Sequence, residues 1–221
     1  MTRLAIFDCD GTLVDSGATI YHALAETFER HRIDLPPPGE CRRVIGLSLT
    51  EAMAALVPGA RQDDHVELAE TYKKCFFEAR QQGRVEEPLF DGILELLDAL
   101  ETDGWLLAVA TGKSDRGLRL CMERHGLHAR FVSLQTADRH PSKPSPLMAL
   151  AAMAEAGASA QQSVVIGDTS FDMAMALAAG AAGIGVGWGY HKPDELIAAG
   201  ARSVAGIPAD VSKLAMEAVN G

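Results

Sequence analysis

The chain has 221 residues, of which 48% are hydrophobic and 23% are charged. These values are typical of one globular domain, or of a core with a smaller appended unit, and they exclude wholesale disorder. Thirty acidic residues against twenty basic ones give a formal net charge of −10, whereas a nucleic-acid-binding protein usually carries a basic face.

The first part of the chain predicts one buried strand followed by several helices. Residues 4–7 are apolar, which is typical of a strand buried on both faces. Helical patterns follow over 18–32 and 64–82, with a further helix starting between them. Ser16 is the expected N-cap of the first helix and Thr50 that of the middle one.

From residue 88 onwards, strand and helix patterns alternate. Strands are expected at 105–110, 131–134, 164–166 and 182–186, and helices at 93–102, 115–125, 146–156, 171–179 and 194–198. This alternation predicts a parallel sheet with helices on both faces. We therefore expect an α/β fold in which residues 1–15 and 83–221 form a Rossmann-like core and residues 16–82 form an inserted all-helical domain.

Neither the cysteines nor the apolar segments indicate secretion or a membrane. The four cysteines are far apart and form no C-x-x-C pair, which favours a reducing cytoplasm over a disulfide scaffold or a zinc site. Only four apolar residues follow Arg3, too few for a signal peptide. The uncharged run 173–190 contains five glycines and predicts a helix, a turn and a strand. We expect a cytoplasmic protein with no nucleic-acid or membrane partner; the sequence leaves its oligomeric state open.

Polar groups are predicted at the carboxyl ends of the strands, where the active sites of open parallel sheets lie. Seven residues carry them: Asp8, Asp10, Thr111, Gly112, Lys143, Asp168 and Asp172. Each alone has a simpler explanation as a turn, a helix cap or a solvated loop residue. Together, the converging carboxylates predict a hard divalent cation, and the ammonium, hydroxyl and backbone amides beside them predict a phosphate.

Four short motifs, taken in order, resemble those of the haloacid dehalogenase superfamily. They are DCDGTLVDS at 8–16, TGKS at 111–114, KPSP at 143–146 and GDTSFD at 167–172. The resemblance extends from the first strand to about Gly189, and the helical insertion is similar to the small helical cap of that superfamily. Within it, the chain looks most like the phosphoglycolate phosphatase group.

The resemblance implies a covalent mechanism that uses Mg²⁺. Asp8 would be the nucleophile that forms an aspartyl-phosphate, and Asp10 would be the acid for the leaving oxygen and then the base for water. The Asp8 and Asp168 carboxylates and the Asp10 backbone carbonyl would hold the ion. Asp172 would bind or orient it. Dehalogenating members have tyrosine in place of Asp10, so an oxygen leaving group is expected.

The same resemblance implies how the substrate is held. Thr111, the Gly112 N–H and Lys143 would neutralise the transferring phosphoryl oxygens. The stretch 44–49 resembles the specificity loop of the group, and three residues in or beside it are candidates for substrate selection: Arg43, Gly46 and Ser48. The implied substrate is a small anionic phosphate ester, with phosphoglycolate as the family-level expectation. The sequence also leaves sugar phosphates, pyrophosphate and nucleotides open as substrates.

Two stretches differ from the patterns that they resemble: the run 112–114 differs from a P-loop, and the stretch 140–142 differs from many members of the superfamily. The run from Gly112 to Ser114 is similar to the end of a P-loop, but Leu107 stands where the required earlier glycine would be. This excludes a P-loop. The stretch 140–142 lacks the glycine that many relatives have before the motif lysine.

Three other functions fit part of the pattern. A phosphomutase of the same fold would return the phosphoryl group to a sugar. A receiver-like signalling protein also forms a phosphoaspartate on a parallel sheet, but its aspartate comes later in the chain and it has no helical insertion. A catalytically silent interaction protein would not need the complete set of motif side chains.

Overall fold

The first strand lies in the middle of the sheet. In the computed structural model, which describes residues 2–220, six strands form one parallel sheet in the order β3-β2-β1-β4-β5-β6. The strands are β1 (Arg3–Phe7), β2 (Trp105–Thr111), β3 (Phe131–Thr136), β4 (Ser163–Gly167), β5 (Ala182–Val186) and β6 (Ala201–Ala205). The predicted α/β fold with a parallel sheet is confirmed. Residues 1 and 221, which the prediction assigned to the core, lie outside the described residues.

A helix follows each strand from β2 to β6, and five helices, the first four of them in the insertion, lie between β1 and β2. Those of the insertion are α1 (Gly17–His31), α2 (Pro38–Arg43), α3 (Leu49–Leu56) and α4 (Gln62–Gln81). Those of the core are α5 (Ile93–Thr102), α6 (Asp115–Arg124), α7 (Leu147–Ala156), α8 (Ser170–Ala178), α9 (Pro193–Ala198) and α10 (Pro208–Asn220). Along residues 2–220, no helix combines the length and the apolar character that crossing a membrane requires.

Alternate residues of the strands face two separate helical layers. Phe7 and Val109 belong to the apolar cluster that includes side chains of α5, α6 and α10. Ile6 and Ala108 belong to the cluster on the other face, with side chains of α7 and α8. Because successive side chains of a strand point to opposite faces, this arrangement requires strands that are apolar at every position. It explains why the strands are continuous apolar runs in the sequence.

The insertion has an apolar core of its own. Its buried residues come from all four inserted helices: Ala23, Leu24, Phe28, Cys41, Met53, Leu68, Ala69 and Tyr72. The two chain segments that join it to the sheet run side by side, since the Asp15 N–H donates to the Pro88 carbonyl at 2.8 Å and the Phe90 N–H donates to the Leu13 carbonyl at 3.1 Å. Division into a core and a domain at 16–82 stays a prediction, to which this separate cluster lends support.

Several local predictions differ from the structure. Strand β6 and helix α10 were not predicted, because β6 is short and Arg202 interrupts its apolar pattern. Thr50 does not cap α3; the Ser48 hydroxyl does, accepting from the Glu51 N–H at 3.5 Å. Ser16 precedes α1 without capping it by its side chain, because its hydroxyl donates to a carboxylate instead.

Candidate active site

The site lies where the strand order reverses. Strands β1 and β4 are neighbours, and their connections lead to opposite sides of the sheet, so a crevice opens beyond their carboxyl ends. Asp8 directly follows β1 and Asp168 directly follows β4. The Asp8 N–H donates to the Ile166 carbonyl at 2.9 Å, which continues the pairing of the strands and fixes the start of the loop.

Three buried carboxylates converge in this crevice. Oxygens of Asp8, Asp168 and Asp172 lie within 4.8 Å of one another. Burial raises the pKa of the Asp8 carboxyl to about 7, with Lys143 opposing and Asp172 adding to the shift. Burial and the neighbouring Asp8 likewise raise the pKa of Asp168 well above its usual range. Negative charge is therefore costly here until a cation compensates it.

Lys143 supplies part of that compensation. Its Nζ donates to Asp172 Oδ1 at 2.6 Å and lies 2.9 Å from Asp8 Oδ1, without the angles of a hydrogen bond. Burial opposes the ammonium charge, but Asp172 and Asp8 outweigh it and raise the pKa of Lys143. Among the described residues, neither Asp8 oxygen has a hydrogen-bond partner. The Asp8 carboxylate is thus paired with Lys143 through Oδ1, while its Oδ2 has no polar partner in the described part of the chain and can react or bind a ligand.

The other two carboxylates are held in place by their neighbours. Asp168 accepts from the Thr12 hydroxyl at 3.0 Å and from the Tyr190 N–H at 2.9 Å. Asp172 Oδ2 accepts from the Thr169 N–H at 3.0 Å and from its hydroxyl at 2.6 Å, which forms a capping box at the start of α8. Asp172 therefore both caps its helix and holds Lys143, so the structural and functional explanations of this residue are compatible.

Asp10 begins a row of alternating charges that runs toward the insertion. Its Oδ1 accepts from the Ser16 hydroxyl at 2.5 Å and from Lys113 Nζ at 2.6 Å. Lys113 Nζ also lies 2.9 Å from Glu87 Oε1, and Arg80 of α4 donates to Glu87 Oε2 at 2.7 Å. We call Asp10, Lys113, Glu87 and Arg80 the charge chain. It connects Asp10, the predicted acid-base residue, to the last turn of α4.

The members of the charge chain stabilise one another's charges. Burial opposes the Lys113 ammonium, but Asp10 and Glu87 outweigh it and hold the pKa of Lys113 well above its usual range. Burial likewise opposes the Glu87 carboxylate, yet Lys113 and Arg80 hold its pKa low. Neither Lys113 nor Glu87 is predicted as a site residue by the sequence. The only signal was a lysine two residues after Thr111, since Glu87 is remote in sequence from its partners.

The predicted phosphate-binding loop lies directly under the insertion. Thr111 is buried at the end of β2, and its hydroxyl accepts from the Lys113 N–H at 3.2 Å. A Cβ at Gly112 would stand 2.4 Å from the Leu47 carbonyl oxygen, so only glycine allows the insertion to approach this closely. The structure therefore shows the insertion closed over the site.

The three candidate selectivity residues occupy different places. Gly46 lies over the site, at the edge of a cavity that Asp10 also lines. The Ser48 N–H donates to the Ser142 hydroxyl at 2.8 Å, so the stretch 140–142 before Lys143 contacts the insertion. Arg43 extends along the surface to Glu195, 2.8 Å away. A selectivity role stays a prediction for all three, and the structure does not bring Arg43 to the cavity.

The fold and the site together define a class of protein: an α/β fold with a cluster of buried carboxylates at the switch point of its parallel sheet. A family model described as "Haloacid dehalogenase-like hydrolase" matches residues 5–186. The chain therefore belongs to the haloacid dehalogenase-like hydrolases, as its four motifs predicted.

Several known proteins are similar over nearly the whole chain. "Probable phosphatase IndB" of Dickeya dadantii is 38% identical over 205 residues, which cover 90% of this chain and 87% of that protein. A phosphoglycolate phosphatase of Rhodospirillum rubrum is 32% identical, covering 92% of this chain and 87% of the relative. The crystal structure of a hydrolase from Pseudomonas syringae is 27% identical, with a TM-score of 0.85 over 98% of this chain and 99% of the other. These similarities agree with the predicted class of phosphoric monoester hydrolase.

Proposed function

We propose that this protein is a Mg²⁺-dependent phosphatase that hydrolyses small phosphate monoesters through an aspartyl-phosphate on Asp8. One observation carries the proposal. The Asp8 carboxylate is buried beside Lys143 without a hydrogen-bond partner in the described part of the chain, at the carboxyl end of the central strand. The Oδ2 atom of this buried carboxylate is available for attack on an anionic substrate that Lys143 helps to neutralise.

Two displacements account for the reaction. In the first, an Asp8 oxygen bonds to phosphorus as the bond to the ester oxygen breaks, and Asp10 donates a proton to the departing alcohol. In the second, water bonds to phosphorus while Asp10 takes its proton, and the bond to Asp8 breaks to release inorganic phosphate. The hydrogen bonds from Ser16 and Lys113 fix the Asp10 carboxylate in one position for both steps.

The acidic cluster fits a divalent cation. Its carboxylates are buried and close together, and burial makes their negative charges costly. Carboxylate oxygens are ligands that Mg²⁺ prefers, and the ion would compensate these charges. Asp8, Asp168 and the Asp10 backbone carbonyl would hold the ion, and Asp172 would bind or orient it. When bound, Mg²⁺ neutralises charge on the transferring phosphoryl oxygens.

Two features of the proposed reaction are the class of ester that is hydrolysed and the molecule that accepts the phosphoryl group. Phosphoglycolate is the substrate that the sequence resemblance implies, and phosphoglycolate phosphatases are among the relatives. A phosphomutase would use the same nucleophile and the same acid but transfer the phosphoryl group to a sugar hydroxyl. Water is the acceptor in our proposal, so free phosphate is the product that distinguishes the two.

A panel of esters tests the function. Phosphoglycolate, a sugar phosphate, a nucleotide and p-nitrophenyl phosphate are incubated with the protein in Mg²⁺ and in EDTA, and phosphate release is measured. We expect release from at least one ester in Mg²⁺ and a loss of about 100-fold or more in EDTA. Equal release in EDTA would remove the metal from the mechanism, and isomerised sugar phosphate without free phosphate would identify a mutase.

Asp168→Asn should separate stability from activity. Because burial and Asp8 make the Asp168 charge costly, the amide should raise the thermal midpoint of the metal-free protein by a few degrees, given about 2–4 °C per kcal/mol at this chain length. Thr12 and Tyr190 can still bond to the amide after the Thr12 hydroxyl rotates. Turnover should be abolished. Thermal unfolding in EDTA gives the midpoint of the metal-free protein, and thermal unfolding in Mg²⁺ gives the midpoint in the presence of the ion.

Magnesium should raise the midpoint of the wild type and leave that of Asp168→Asn unchanged, since only the former binds the ion. Asp91→Asn is the matched control, because this carboxylate is exposed and outside the cluster. Its response to Mg²⁺ should equal that of the wild type. An equal shift in Asp168→Asn would place the ion elsewhere.

A further inference from the structure

A largely apolar cavity lies between helix α4 of the insertion and the loop after β2. Its volume is about 350 Å³, within the range of roughly 300–1,000 Å³ that small organic ligands occupy. Six of the apolar side chains on its wall are Leu49, Met53, Tyr72, Phe76, Phe77 and Leu120. Three of these are aromatic residues on a single helix, and aromatic side chains pack well against flat rings.

The cavity continues from the place where the ester bond breaks. Asp10 and Gly112 line its wall, together with Gly46 and Leu47 of the insertion. The oxygen that accepts a proton from Asp10 must lie within hydrogen-bond reach of that carboxyl. The organic group attached to this oxygen therefore extends into the cavity rather than into solvent.

The two least exposed cations at this wall, Lys113 and Arg80, already have acidic partners. Lys113 Nζ lies 2.6 Å from Asp10 Oδ1 and 2.9 Å from Glu87 Oε1, and Arg80 donates to Glu87 at 2.7 Å. A carboxylate on the substrate would have to compete with these pairs, and it would repel Asp10. The charge chain thus leaves no buried positive charge uncompensated at this wall.

Two further cations reach the wall from the surface. Lys73 lies 2.7 Å from Glu70, and its side chain is 42% exposed. The Arg116 guanidinium lies 4.1 Å from the centre of the Phe77 ring, and this arginine is also exposed. Exposed charges attract an anion only weakly, because water and salt screen them. The wall consequently favours an uncharged group.

We propose that the preferred substrates are phosphate monoesters of alcohols that carry an uncharged, ring-containing apolar group. This inference rests on the proposed phosphatase function and refines its substrate class, away from glycolate and toward a larger apolar leaving group. Phosphoglycolate would fill little of the cavity, and its carboxylate would meet compensated cations. A phenyl-sized ring would lie against the aromatic side chains of α4 and displace water from their surfaces.

Three esters of alkyl alcohols test this with similar leaving-group chemistry: 2-phenylethyl phosphate, ethyl phosphate and phosphoglycolate. We expect kcat/KM for 2-phenylethyl phosphate to exceed that for ethyl phosphate by about 10- to 100-fold, as burial of one apolar ring predicts. The value for phosphoglycolate should not exceed that for ethyl phosphate. Equal values for the phenylethyl and ethyl esters, or a preference for phosphoglycolate, would overturn the inference.

Variants on both sides of the cavity test whether the preference for the phenylethyl ester arises from binding in this cavity. Phe77→Ala on α4 and Leu120→Ala on α6 should each lower the ratio of phenylethyl to ethyl kcat/KM by about threefold to tenfold. Val66→Ala is the matched control: it also lies on α4 but is exposed and outside the cavity, so the ratio should not change. An unchanged ratio in both cavity variants contradicts the proposed binding place.

The two proposals fail in different ways. If neither these three esters nor any ester of the earlier panel releases phosphate in Mg²⁺, the phosphatase function is wrong and the substrate class is wrong with it. If p-nitrophenyl phosphate is hydrolysed but the phenylethyl ester has no advantage, the function stands and the inference is wrong.

Discussion

Asp8→Asn should lower the turnover of phosphate monoesters by about 10⁴-fold or more, because an amide cannot form the phosphoenzyme. The fold should survive the change. Burial already disfavours the Asp8 charge, and Lys143 keeps its hydrogen bond to Asp172. Phosphate release from p-nitrophenyl phosphate measures the loss, and the thermal midpoint measures the integrity of the fold.

Intact-protein mass after incubation with acetyl phosphate checks the position of the covalent bond. Asp8→Asn should gain no phosphoryl group under any condition. Asp15→Asn is the matched control, because this aspartate belongs to the same motif but is exposed, and its activity should stay near that of the wild type. An adduct that persists in Asp8→Asn would assign the nucleophile to another residue.

Asp10→Asn should turn over about 10²- to 10⁴-fold more slowly and accumulate phosphoenzyme on Asp8. With acetyl phosphate, the leaving group needs little help from an acid, so the first displacement proceeds. The second needs a base for water, and the amide cannot serve as one. The amide oxygen can still accept from Ser16 and Lys113, so the side chain should keep its position.

The same mass measurement separates a phosphatase from a receiver-like protein. The wild type should show little adduct, because hydrolysis follows quickly, whereas Asp10→Asn should show one phosphoryl group per chain. A stable adduct in the wild type would favour the receiver alternative. No adduct in Asp10→Asn would mean that Asp10 is needed before the covalent bond forms.

The sheet and the carboxylate cluster are predictable from the sequence because both depend on short-range patterns. Strands buried on both faces are continuous apolar runs, and the parallel arrangement brings their carboxyl ends to one edge. Asp8 and Asp168 each directly follow such a run, and the two strands are parallel neighbours, so the two carboxylates lie at the same edge of the sheet. Asp172 needs only one further helical turn.

The contacts between core and insertion are not predictable in this way. Glu87 has no local pattern that marks it, since its partners Lys113 and Arg80 come from two other elements. Ser16 precedes a helix and therefore resembles an N-cap in the sequence. In the structure its hydroxyl donates to the Asp10 carboxylate and accepts no hydrogen bond from the N–H groups of the helix. These outcomes depend on tertiary distances, which residue spacing alone does not encode.

The charge chain limits how this protein can change over evolutionary time. Glu87 and Lys113 are enclosed, so water cannot replace either partner if the other is lost. Breaking such a buried pair costs about 3–5 kcal/mol, a large share of the roughly 5–15 kcal/mol that keeps a domain folded. Substitutions at these two positions should therefore be inherited together, and the ion pair between Arg80 and Glu87 extends that expected covariation to helix α4 of the insertion.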